Sequence, residues 1–146
     1  MKKNHYQKRD PIKDYFPLPN EIFYLNLFYG EIAVYAYLLH CENRKSFQCY
    51  PSYKTMGEAL QMSRNTVSKY IRRLEEKQFI TTEPTDVYTS RGEKRNGNLL
   101  YTILPIEQAK KYFYDRQLES ADRIVAEGKL NKRIEKLRLK PDKQVG

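Results

Sequence analysis

The stretch that decides the fold runs from Met62 to Ile80, MSRNTVSKYIRRLEEKQFI, a short polar start followed by a periodic run with five basic residues. Ser63 can cap a helix. Val67, Ile71 and Leu74 then recur at spacings of four and three with Tyr70 alongside, so one stripe is apolar and must face a core. At about 100° per residue, Asn65, Lys69, Arg72 and Glu76 point away from that stripe, with Ser68 and Arg73 on its flanks. The spacing predicts a helix over 63–78 with its basic residues in solvent.

Upstream, Pro51 disfavours helical geometry at Tyr50, and Ser52 offers a cap to a second helix over 53–61, with Met56, Ala59 and Leu60 on one face. Gln61 and Met62 make a tight connection between the two helices. Small Gly57 sits where they must cross closely, and Leu60 and Met62 fill the angle. Two helices joined by about three residues have the geometry of a helix-turn-helix, in which the first braces the second.

Further towards the N-terminus, Ile32, Ala36 and Leu39, with Tyr35 and Leu38 beside them, predict a helix over 30–42. YFPLPNEIFYLNL carries Pro17 and Pro19 and then Ile22, Tyr24 and Phe28 in alternation, so extended chain or a short edge strand is expected. NRKSFQCYPS reads as a break. Downstream, FITTEPTDVYTSRGEKRNGNLLYTILP reads as two strands, 79–88 and 98–104, whose turn holds Arg91, Lys94 and Arg95: a hairpin with a basic tip. The fold class is therefore mainly α with a small β-hairpin wing.

The charge is segregated. The 146 residues hold 27 Lys plus Arg against 18 Asp plus Glu, a net of +9, collected in four packets: +4 over 1–13, +3 over 63–78, +2 over 89–98 and +5 over 129–146. A polyanion, nucleic acid or anionic lipid, is the partner such a balance points to. No apolar run approaches the roughly 20 residues a membrane span needs, and no signal-peptide pattern follows the basic start. A cytoplasmic protein is expected, with no membrane partner.

The order helix, helix, turn, SRNTVSKYIRRLEEKQFI and basic hairpin resembles a winged helix-turn-helix domain. LPNEIFYLNLFYGEIAVYAYLL, together with YPSYKTMGEALQMSRNTVSKYIRRLEEKQFI, is similar to helix-turn-helix proteins of bacterial mobile elements, phages and plasmids. The resemblance covers residues 16–104. It implies that Ser-Arg-Asn-Thr-Val opens the recognition helix and that Phe79-Ile80 starts the wing. One departure is Gln61, where many helix-turn-helix proteins carry Gly.

A major groove admits one α-helix, and residues in its N-terminal half reach base edges, so Arg64, Asn65, Ser68 and Lys69 are the candidates for base contact. Ser63, Thr66 and the free N–H groups at the helix start suit a phosphate, and Arg72 and Arg73 lie further along. Arg91, Lys94 and Arg95, within a wing over 88–98, would follow the backbone or enter the minor groove. Double-stranded DNA is the expected partner. Transcriptional regulation of a mobile element, replication control of such an element, and a protein-interaction winged helix are the functional readings, in that order.

Past Pro105 the chain is rich in helix formers, and a helical extension over 105–140 is expected, flanked at the chain ends by a basic tail over 1–15 and a short one over 141–146. Its apolar clusters (Ile106, Ala109, Phe113; Leu118, Ala121, Val125; Leu130, Ile134, Leu137) share no single register, so an uninterrupted coiled coil is not expected. Two readings stay open: a helix that forms a homodimer, or one packed on its own domain and followed by a basic tail. No phosphate loop, nucleophile elbow or paired metal ligands occur, and the only histidines are His5 and His40, so no enzyme, catalytic residue, metal or cofactor is expected. Cys41 and Cys49 read as small, partly buried apolar residues.

Overall fold

Each helix of the central pair begins on a serine. The computed structural model describes residues 7–139; His5, Lys140, the start of the expected N-terminal tail and all of 141–146 lie outside them. Ser52 Oγ accepts the Thr55 N–H at 3.0 Å and opens α2 (Tyr53–Leu60), and Ser63 Oγ accepts the Thr66 N–H at 3.1 Å and opens α3 (Arg64–Glu76). Each cap is worth about 1 kcal/mol. Before them stands α1 (Tyr29–Cys41); after them comes α4 (Ile106–Leu139).

The turn between α2 and α3 keeps helix-turn-helix geometry without a glycine. Gln61 itself takes the left-handed conformation, φ 55° and ψ 46°, and the Met62 N–H returns to the Gly57 carbonyl at 2.9 Å. A left-handed non-glycine residue costs about 1 kcal/mol. The glycine the turn does require is Gly57, because a Cβ there would stand 2.5 Å from the Met62 carbonyl oxygen.

Five short strands complete the domain: β1 (Gln48–Cys49), β2 (Ile80–Glu83), β3 (Asp86–Tyr88), β4 (Lys94–Asn96) and β5 (Leu100–Ile103). Strands β1, β5 and β2 form one antiparallel sheet with β5 central, in register Ile80–Ile103 and Cys49–Tyr101. Strands β3 and β4 form a separate ribbon, with Asp86 opposite Asn96 and Tyr88 opposite Lys94. The core joins Val34, Tyr35 and Leu38 of α1, Met56 of α2, Val67, Tyr70, Ile71 and Leu74 of α3, and Phe79, Ile80, Tyr101 and Ile103 around the sheet. Tyr35 meets Phe79 edge-on at 5.2 Å. The architecture is mainly α with a small β wing: a winged helix-turn-helix with a long C-terminal helix.

Five expectations are corrected. First, the segment expected as extended chain or an edge strand is a 3-10 turn over Asn20–Tyr24. The spacing that matters is Ile22 to Leu25, both buried, whereas Tyr24 and Phe28 are exposed. Second, α1 buries Glu31, Val34, Tyr35 and Leu38 rather than Ile32, Ala36 and Leu39, which are half-buried. That helix is apolar nearly all round, so periodicity could not choose its face. Glu31 chooses it: Oε2 accepts the Phe28 N–H at 2.8 Å and pairs with Lys77 Nζ at 2.8 Å, and Lys77 also donates to the Asn26 carbonyl at 3.2 Å.

Third, the break over residues 43–52 contains β1, whose partner β5 is some fifty residues away in sequence. Fourth, the hairpin is cut in two. Pro84 brings no N–H to a ladder, and at Gly97 a Cβ would stand 2.5 Å from Thr85 Oγ1, so only glycine allows the two chains this close approach. Fifth, within α2 Gly57 is buried where Ala59 was expected, and Ala59 is exposed.

Candidate nucleic-acid interface

The apolar stripe of α3 is spent on the core, with Val67 and Leu74 fully buried and Ile71 nearly so. That leaves Arg64, Asn65, Lys69, Arg72 and Arg73 exposed, and Thr66 and Ser68 half-buried at the edge. Among the described residues, no ion pair engages Arg64, Lys69, Arg72 or Arg73. Lys69 and Arg73 lie 5.1 and 5.9 Å from the Tyr70 ring, on the flank towards α1. Arg64, Asn65 and Arg72 are the side chains most free to reach outward.

Ser63 and Thr66 are already engaged at the helix start, their hydroxyls 2.9 Å apart while Ser63 Oγ caps the Thr66 N–H. What they offer a phosphate is residual hydrogen-bonding capacity and the N-terminal end of the α3 dipole.

The wing differs from a simple basic tip. Its turn closes through the Thr89 N–H to the Glu93 carbonyl and the Gly92 N–H to the Thr89 carbonyl, both 2.9 Å, with Gly92 at φ 79°. Arg91 sits in that turn, but Lys94 and Arg95 lie on β4. Lys94 pairs with Asp86 at 3.3 Å and Arg95 approaches Glu93 at 3.9 Å. All four of those side chains are largely exposed, so each pair is worth well under 1 kcal/mol and yields readily to a better anion.

One element lay outside the sequence-derived candidates. A cleft of about 440 Å³ opens between the start of α2, Arg64 and the base of the wing, and Lys54 and Asn98 line it with Arg64. Asn98 is held there by its side-chain N–H to the Tyr50 carbonyl at 3.2 Å. A lysine two residues after a capping serine is the signal that could have found Lys54. Behind the cleft, on β1, Cys49 is buried with Sγ 3.5 Å from the Leu38 carbonyl, and burial pushes its thiol up to about 12. Cys41 is free and half-buried. His40 is exposed on α1, between Phe16 and Tyr37.

Comparison with known proteins agrees with the central pair. Residues 25–80 match the family model described as a helix-turn-helix domain. Among solved structures, the chain is similar to a "possible transcriptional regulator" from Methanosarcina mazei Go1, at 20% identity over 72% of this chain and 79% of that one, with a TM-score of 0.49. It is also similar to two structures of MepR from S. aureus. One is a mutant bound to an oligodeoxyribonucleotide, at 18% identity over 80% of this chain and 84% of that one, TM-score 0.40. The other is a MepR–DNA complex, at 18% identity over 80% and 86%, TM-score 0.37. No curated protein matches the chain in sequence.

Proposed function

We propose that this protein is a sequence-specific double-stranded DNA-binding regulator that inserts the N-terminal half of α3 in a major groove and lays the β3–β4 ribbon along the adjacent backbone. The observation that carries the reading is the division of α3 into one face spent on the core and one exposed face with Arg64, Asn65, Lys69 and Arg72. Asn65 suits adenine, and Arg64 or Lys69 suits guanine. Lys54 joins Ser63, Thr66, Arg73, Arg91, Lys94 and Arg95 as a backbone contact, and Ser68 lies beside the reading residues. Residues 16–104 act as the DNA-binding unit, and the helix after Pro105 is an extension of it.

The finer role is transcriptional control within a bacterial mobile element, and its support is the sequence resemblance of residues 16–104. Among the described residues, no helix is long and apolar enough to cross a membrane. A gel shift on random duplex DNA with salt varied tests the reading. Each phosphate contact adds about one unit to the slope of log affinity against log salt, so a slope of roughly −4 or steeper is expected. Absence of salt-sensitive duplex binding would contradict it and favour a protein-interaction winged helix.

A further inference from the structure

Only the first turns of α4 touch the domain. Ala109 is buried, Phe113 packs against the core, and Lys110 pairs with Glu21 at 3.6 Å. Every residue from Tyr114 to Leu139 is exposed, including Leu118 at 64%, Ile124 at 67% and Val125 at 57%. Within that free length Tyr114, Leu118, Ala121, Val125 and Gly128 follow one another at steps of four, three, four and three, the spacing of a coiled-coil seam. The seam ends where its next position is Lys132. Leu130, Ile134 and Leu137 lie roughly 160° away around the helix and do not belong to it.

We infer that this seam pairs antiparallel with the same seam of a second copy. The chain argues for the orientation twice. Residues 115–127 carry a net −2 and residues 129–138 a net +4. An antiparallel pair sets the acidic half against the basic half, whereas a parallel pair sets +4 beside +4. Size makes the same choice. In the antiparallel register that centres on residue 123, Leu118 faces Gly128 of the second copy and Ala121 faces Val125, so large meets small. A parallel pair would stack Gly128 on Gly128 and Ala121 on Ala121 and leave gaps.

The antiparallel register also brings Asp115 near Lys129 of the second copy and joins the two Ile124 side chains along one edge. Asp122 meets its own counterpart on the other edge, in solvent, where like charges are screened. The two buried Ala109 residues end about 40 Å apart along the pair. Two copies of α3 carried at that separation would address half-sites roughly one duplex turn apart on a pseudo-palindrome. That last consequence rests on the proposed DNA-binding reading; the pairing does not.

Sedimentation equilibrium of the full chain at micromolar concentrations tests the pairing. The wild type is expected to be a dimer, and Leu118→Asp with Val125→Asp is expected to raise its dissociation constant at least about a hundredfold. Both side chains are exposed, so an unchanged circular dichroism spectrum separates loss of pairing from loss of fold. A monomeric wild type would overturn the inference, as would a dimer that the double variant leaves intact. Orientation is read from mild oxidation, with the parent chain as control: Ile124→Cys should cross-link to itself and Leu118→Cys should not. The reverse pattern would mean a parallel pair. If the chain is monomeric yet binds duplex DNA with a salt slope, the pairing fails and the DNA reading stands.

Discussion

Helices α3 and α4 look alike in composition, since both mix Arg, Lys and Glu with a recurrent apolar stripe, yet they use that stripe in opposite ways. In α3 the stripe of Val67, Ile71 and Leu74 is closed against α1, α2 and the sheet, so its cationic face has a fixed direction. In α4 the stripe after Phe113 meets nothing in its own domain. A helix held by its core can present specific side chains at defined positions; one with a free stripe offers a surface for association. Basicity alone distinguishes neither.

The two helices should differ most visibly in what they contribute to stability. Ile71→Ala removes buried volume from α3 and should cost about 3 kcal/mol in urea unfolding, whereas Val125→Ala on the free face of α4 should change unfolding of the dilute monomer by no more than about 0.5 kcal/mol. Comparable losses for the two would mean that α4 packs on its own domain. Next in size is the buried ion pair that ties α1 to the end of α3. Glu31→Ala strands Lys77 and leaves the Phe28 N–H without its acceptor, for an expected loss of about 2 kcal/mol by the same measurement. A neutral outcome would remove Glu31 from the account of how α1 is oriented.

The turn sharpens the picture in the other direction. Gln61→Gly relieves a left-handed side chain and should stabilise the fold by about 0.5–1 kcal/mol in thermal unfolding, less whatever the more flexible unfolded chain takes back. Destabilisation would show that Gln61 has a role beyond the turn.

The smallest effect near neutral pH comes from the core itself. Burial pushes Tyr35 and the Cys49 thiol each up to about 12, with Glu42 adding to Tyr35, and it raises Tyr101 as well. In the unfolded chain these groups titrate from their ordinary values, 9.0 for Cys and 10.0 for Tyr. Their folded values are higher, so this stability is complete below about pH 9 and declines as pH rises towards 12. Urea midpoints from pH 7 to 11 check it, and a flat profile would be the contrary result.

What the sequence disclosed follows the physics of each element. For α3 and the fold class, cap, stripe and turn all gave the same answer from neighbouring residues. The face of α1 was illegible because apolar residues surround it, and a buried Glu31 breaks the rule that charge lies outside. Strand β1 was illegible because two residues carry no period and its partner is remote. The hairpin was legible as a hairpin, but its division at Pro84 and Gly97 depends on backbone approach, and the pairing of Lys94 with Asp86 depends on cross-strand register. Among candidate contacts, Lys54 was missed because it stands outside α3 and reaches the same face only through the angle between α2 and α3.

On the proposed reading, α3 contacts base edges while the wing holds the backbone. Selection of bound sites from a random duplex library, repeated with Asn65→Ala and Lys94→Ala, tests it most directly. Asn65→Ala should lose preference at one fixed position, by about 1–3 kcal/mol of discrimination, while Lys94→Ala keeps the selected sequence, binds every duplex more weakly and lowers the salt slope by about one unit. Equal losses on all sequences for both variants would contradict the assignment of α3 as the reading element.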